Sequence, residues 1–445
     1  MTSKVLSTRT NFNSNPYHVY YDINMYNDDT SGNSAAIPVK FTETRNQPIL
    51  ANPSEYFMTV SRMCLDTASL PLMIPEVAIG ENSNANKTVY QFAVGKYADD
   101  AGAKVFNIIF NPQDKTLSSP TLPITTTSSH SDYYFTYSFQ AFIDMMNKSL
   151  YDGFASFTLN GTQPYVVFNK ESNKASFYFP QYVAPSNTYP TWGGSYVSAN
   201  NGTYFLYMNA PLYNLFSSLQ ADYVGQLPYN GGISTTTTNF GWYRLSVNAP
   251  QGSIGSSASQ NNYIGVNASL VTGGILQSSE PFVDAFNAYS YISPVGYPTT
   301  PTYWSVLAQD YPTTGLWCPV QAIVMTTALM PVMPELTGTP QIYGVTGSAF
   351  NQGDNNNLLN IIADIEIPLV RGDEYKPMIF YEPKAEYRLI DLQSNSPINS
   401  IELNIYWRDQ YGSLHTFLLD TGNQANLKIL FRKKLFNVTE LHNPI

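Results

Sequence analysis

The sequence predicts an all-β protein, an antiparallel sandwich or barrel that carries one or two short helices. Short stretches of alternating apolar and polar residues recur along the chain, clusters of turn-forming residues separate them, and helical periodicity is confined to two places. Residues 401–408 are the clearest case: Ile401, Leu403, Ile405 and Trp407 alternate with Glu402, Asn404, Tyr406 and Arg408, so one face is apolar and the other polar.

Taken in order, residues 17–21 form an aromatic and β-branched segment, 37–41 a short strand, and 56–60 an alternating strand that runs up to Ser61-Arg62. Residues 88–94 and 105–110 read as a hairpin pair, and so do 165–168 and 175–179, joined by a turn at Lys170-Glu171-Ser172-Asn173. The better helix covers 138–154, where Phe139, Phe142, Ile143, Met146 and Leu150 fall on one face and Ser138 can cap the first turn. A second, shorter helix fits 212–219. After 401–408, Asp409-Gln410-Tyr411-Gly412 turns the chain into 414–419. Asp420-Thr421-Gly422-Asn423 turns it again into 427–431. The Ser/Thr/Gly/Asn-rich stretches 116–131, 231–239 and 252–262 read as long loops, and 185–315 is the least regular part. Two proline-punctuated apolar segments, 69–76 and 328–335, echo each other. They fit edge or crossover segments, because proline donates no ladder hydrogen bond, and a duplicated domain is the sharper reading of the echo.

Composition narrows the function. Charged residues are 12% of the 445, about half the roughly 25% usual for soluble proteins, and the net charge is −10. Tyrosine is abundant, at 34 residues. A surface of amides, hydroxyls and phenols desolvates at far lower cost than one of ions, which suits a subunit packed among neighbours. No apolar run approaches the roughly 20 residues of a membrane-spanning helix, and Met1-Thr2-Ser3-Lys4-Val5 lacks the apolar stretch of a secretion signal. Cys64 and Cys318 are the only cysteines and read as buried free thiols rather than a disulfide framework.

Chemistry-bearing patterns are few. His18, His130, His415 and His442 are scattered, and neither a metal-ligand spacing, a nucleophile elbow nor a phosphate-binding loop occurs. The sequence therefore predicts no enzyme, metal or cofactor. Arg371-Gly372-Asp373 spells a receptor-binding tripeptide and equally a tight turn. Lys428, Arg432, Lys433 and Lys434 form the one basic concentration, either facing the interior of an assembly or keeping a strand end soluble.

Two parts of the chain carry a resemblance. Residues 56–75, Trp317-Cys318-Pro319-Val320-Gln321-Ala322-Ile323-Val324-Met325-Thr326, Leu329-Met330-Pro331, and Tyr381-Glu382-Pro383-Lys384-Ala385-Glu386-Tyr387-Arg388-Leu389-Ile390-Asp391-Leu392 running into 397–431 resemble the penton-type minor capsid proteins of virophages and polinton-like viruses. The resemblance implies an antiparallel jelly-roll sandwich with a long loop-rich insertion. The roll would be built from 1–80 and 316–445, and 81–315 would project from it. It also implies five copies around each vertex of an icosahedral DNA virus shell, with major capsid proteins as neighbours and a host receptor or glycan as a candidate partner. Such a protein belongs to the virion and is assembled inside the host cell. Only Lys4 and Arg9 are basic in the first 36 residues, which favours building shell over strong nucleic-acid binding. A double jelly-roll major capsid protein forming trimers, with rolls at about 1–230 and 231–445, is the neighbouring alternative. A carbohydrate-binding tail-fibre or lectin-like protein, stacking Trp192, Trp242 and Trp304 on sugar rings, comes from another class. A glycosidase with two carboxylates on distant strands is a third.

Overall fold

The computed structural model describes residues 16–28, 36–80, 84–96, 103–155, 164–180, 204–225, 227–229, 232–233, 241–245, 271–272, 275–276, 304–334, 341–343, 349–351, 360–366, 378–382 and 388–434. The chain divides into two units: Met1–Leu70 with Val320–Pro368 and Tyr375–Ile445, and Pro71–Pro319 with Leu369–Glu374.

The first unit is a jelly roll. Its strands in chain order are β1 (His18–Tyr26), β2 (Lys40–Thr44), β3 (Tyr56–Asp66), β4 (Val320–Thr326), β5 (Ile361–Glu366), β6 (Met378–Tyr381), β7 (Ser400–Asp409) and β8 (Gln424–Lys433). One sheet has the order β1-β8-β3-β6, and the other runs β5-β4-β7 with β2 alongside β7. All of these pairs are antiparallel, and the winding pairs first with last, second with seventh, third with sixth and fourth with fifth. That nesting is one long hairpin rolled into a two-sheet sandwich.

Alternation explains the core. In β1, Tyr21 and Ile23 are buried while His18, Tyr20, Asp22, Asn24 and Tyr26 are exposed. Met58, Met63 and Leu65 of β3 and Leu427, Ile429 and Phe431 of β8 bury the same inner face. Ile323 and Met325 of β4, Ile365 of β5, and Ile401, Leu403, Ile405 and Trp407 of β7 supply the other. β3 does not end at Ser61-Arg62 as its first residues suggest. It continues to Asp66 through a register shift opposite Lys428/Ile429, and Ser61 Oγ donates to the Lys428 carbonyl at 3.1 Å. The extra residue restores the inward phase for Met63 and Leu65. The three consecutive strands read from 401 onward also divide between the sheets. Leu414–Thr416 pairs with β7, whereas β8 joins β1 and β3.

The second unit packs helix on sheet and does not repeat the roll's winding in its described residues. Lys87–Lys96 and Lys104–Ile109 form the expected hairpin, within a five-stranded sheet that adds Tyr204–Asn209, Trp242–Leu245 and Ala221–Tyr223. A three-stranded sheet holds Tyr165–Asn169, Lys174–Pro180 and Trp304–Ala308. The second expected hairpin turns through Asn173 at φ 52°, in the left-handed region that asparagine tolerates. Phe139–Ala155 is the long helix. The shorter one is Ala210–Leu215, displaced from the expected 212–219 because the Asn209 side chain caps it by accepting from the Leu212 N–H at 3.3 Å. Gly241 precedes Trp242 with φ 99°, a conformation that strains any side chain, and a Cβ there would also crowd that of Ala210 at 3.1 Å.

The core of this unit is aromatic. Trp317 lies edge-on to Phe139, Phe142 and Phe216 at centroid distances of 5.5, 5.5 and 5.1 Å, and its indole N–H donates to the Leu215 carbonyl at 2.8 Å. Asn147, buried in the long helix, donates to the Val166 carbonyl and accepts from the Val166 N–H, tying helix to strand. The echoed proline segments make isolated bridges in different surroundings, Met73 to Thr136 and Val332 to Leu392, as crossover segments do.

Candidate assembly surfaces

The roll offers its sheet faces and edges. The outer face of the β1-β8-β3-β6 sheet follows from its registers. Across it run the rows His18–Arg432–Phe57, Tyr20–Leu430–Thr59, Asp22–Lys428–Arg62 and Asn24–Asn426–Cys64–Phe380. Aromatic rings mark both rims: Tyr20 and Tyr26 are 61% and 59% exposed at one edge, and Phe380 is 76% exposed at the other.

The basic cluster lies at the end of β8, and distant carboxylates meet it. Lys428 Nζ stands 3.2 Å from Asp22, Lys433 3.2 Å from Glu55, and Lys434 2.6 Å from Asp391. Lys434 also sits over the Phe57 ring at 5.1 Å and Lys428 over Tyr20 at 5.9 Å. Arg432 lies beside His18 in the ladder. The sequence shows the cations together. Their counter-charges come from β1, the segment before β3 and the segment before β7, so only the fold reveals the neutralisation. Each exposed pair is worth about 0–1 kcal/mol, but together they remove a field that phosphates would need.

Other candidates fare differently. Arg371-Gly372-Asp373, Trp192 and His442 lie outside the described residues. Trp242 is buried at 1% exposure and cannot stack on a sugar. Cys64 and Cys318 are thiols outside any disulfide, as expected, but half-buried rather than buried, and burial pushes the Cys64 thiol up. His415 stacks on Trp407 at 4.1 Å and meets Asp409 at 2.9 Å, inside a hairpin whose turn Asp409 also holds through the Tyr411 and Ser413 N–H groups. Glu402, on the outer face of β7, accepts from the Ala328 N–H at 2.7 Å and the Asn404 amide at 2.8 Å. These polar constellations are occupied in holding turns. Among the described residues, no group of three or more His, Cys, Asp or Glu is placed to hold a metal ion, and no helix is long and apolar enough to cross a membrane.

A rolled sandwich whose buried polar groups serve its own turns defines a jelly-roll protein, the class that includes viral capsid and lectin domains. The family is equally plain. The Sputnik minor capsid protein V18/19 family matches residues 19–433, and the chain belongs to it. It is a virion structural protein and not an enzyme. Over 147 residues the chain is 35% identical to the uncharacterized protein V18 of Sputnik virophage, a match covering 31% of this chain and 83% of V18. Over 148 residues it is 29% identical to structural protein V19 of the same virophage, covering 32% of this chain and 62% of V19. Among solved structures, it resembles a chain of the Sputnik virophage structure from cryo-EM with a TM-score of 0.66 and 24% identity, covering 94% of this chain and 99% of that one. It resembles the mavirus penton protein with a TM-score of 0.56 and 14% identity, over the same shares.

Proposed function

We propose that this minor capsid protein is a penton subunit, with five copies closed in a ring at each vertex and major capsid proteins around them. The roll forms the body of the ring, and the unit built from residues 71–319 is its elaboration. The observation that carries this reading is the likeness to a penton protein along nearly the whole chain, 94% of this one and 99% of that one, so that roll and inserted unit match together. The low charge and the tyrosine rim of the roll support it, because a ring contact is head-to-tail and joins two different surfaces that must shed water cheaply. The paired state of Lys428, Lys433 and Lys434 supports a shell-building role over genome binding.

Native mass spectrometry of the purified full chain tests the reading. The expected particle is five times the 49.6 kDa subunit. A particle of three subunits would replace it with a trimeric capsomer.

A further inference from the structure

The hydrogen-bond parity of β1 turns half its backbone away from β8. The Lys433 N–H donates to the Tyr17 carbonyl at 2.8 Å, and the Asn27 N–H donates to the Asn423 carbonyl at 3.1 Å. In the continuous antiparallel register between them, odd-numbered residues of β1 exchange bonds with β8. The N–H and C=O groups of His18, Tyr20, Asp22, Asn24 and Tyr26 therefore point away from β8. Among the described residues, no main-chain partner meets them. Proteins ordinarily protect such an edge by shortness, proline, lysine or a bulge. β1 is nine residues long, contains neither proline nor lysine, and runs against β8 without a register shift. The other rim of the same sheet, β6, is four residues long. The second sheet ends in β5, which is six residues long and meets a bulge at Met325/Thr326.

The edge is also electrically quiet. Asp22, its one acid, is held by Lys428 at 3.2 Å and Arg62 at 3.8 Å on its own sheet. An arriving strand meets tyrosine, histidine and amide. Pairing β1 with β1 of a second copy about its midpoint would set Asp22 against Asp22, which is unfavourable. A ring requires two unlike surfaces in any case. The unlike surface available on this chain is the opposite rim, where Phe380 projects on the same outer face as Tyr20 and Tyr26. β6 runs opposite in direction to β1, so adding it beyond β1 continues the antiparallel order.

We propose that the free edge of β1 accepts β6 of the adjacent copy, carrying the sheet from one subunit to the next and setting Phe380 against the β1 tyrosines. This rests on the ring proposed above.

Parity supplies the test. Proline at position 20 or 24 removes an N–H that points to the free edge and leaves the ladder to β8 intact. The full-length Tyr20→Pro and Asn24→Pro variants are expected to keep the wild-type far-UV circular dichroism and melting profile, while assembly measured by native mass spectrometry against concentration weakens at least tenfold. Phe380→Lys, a change at an exposed side chain, is expected to do the same without touching β1. If the wild type forms five-subunit rings and the folded variants assemble equally well, the edge pairing is wrong and the ring stands. A wild type that forms no ring overturns both.

Discussion

In the roll, Ile401, Leu403, Ile405 and Trp407 point inward because every second residue of a strand must. In the 71–319 unit, Phe139, Phe142, Phe216 and Trp317 meet because the long helix, the end of a short one and a segment far along the chain converge on one spot. The first core is specified locally and repeated on each strand, so its parts are similar and replaceable. The second is specified by tertiary contact and concentrated in a few large rings. The contrast teaches that one chain can hold a core spread evenly over its strands and another focused on a few converging rings, and that they should fail differently.

Substitutions that empty each core measure the contrast most directly. Trp317→Ala removes three edge-to-face contacts and an indole hydrogen bond, and is expected to cost about 3–5 kcal/mol. Leu427→Ala, at a fully buried position of β8, should fall lower, at about 2–4 kcal/mol, because neighbouring aliphatic side chains can close part of the gap. Urea unfolding of the two variants reads both values. Equal losses would dissolve the distinction. Asn147→Ala probes how the second core is fastened. It strands the Val166 N–H and C=O away from water, and a loss of about 1–3 kcal/mol is expected in the same measurement.

The smallest effect concerns how the roll holds its polar groups. Burial alone would raise the Glu402 carboxyl, but the Ala328 and Leu329 N–H groups, the Asn404 amide and the Lys40 ammonium outweigh it, and the group lies below the usual glutamate range. A folded pKa below the unfolded one contributes stability above the unfolded value of about 4.3, and that contribution is lost as pH falls through the folded value. Glu402→Gln should therefore cost roughly 1 kcal/mol at neutral pH. The gap between the variant and wild-type melting temperatures should close as pH falls below 4.

Much of the roll was legible because alternation is a local signal. Residues 401–408, 414–419 and 427–431 read as strands from their own side chains. What they paired with was not legible. Nothing in 427–431 says that its neighbours are His18–Tyr26 on one side and Tyr56–Asp66 on the other, and the extra residue at Ser61 appears only as a phase error between Val60 and Met63. In the inserted unit, the two hairpins and the long helix were readable, whereas Tyr204–Asn209 and Trp242–Leu245 were not, because strands packed on both faces show no alternation. The basic cluster was visible, and the carboxylates that quiet it were not. The β1 edge carried a signal that was missed: an unbroken alternation from His18 to Tyr26 without proline or lysine.

The pairing of first strand with last sets a timetable. His18 lies opposite Arg432, and a ribosome adding about 5–20 residues per second needs roughly 20–80 s to make the chain between them. Throughout that interval β1 lacks its partner strand β8, and the sandwich cannot shut. Completion of the roll thus waits for β8 to be made, so that copies made only as far as β7 have no finished rim to offer a neighbour and cannot be drawn into a growing shell.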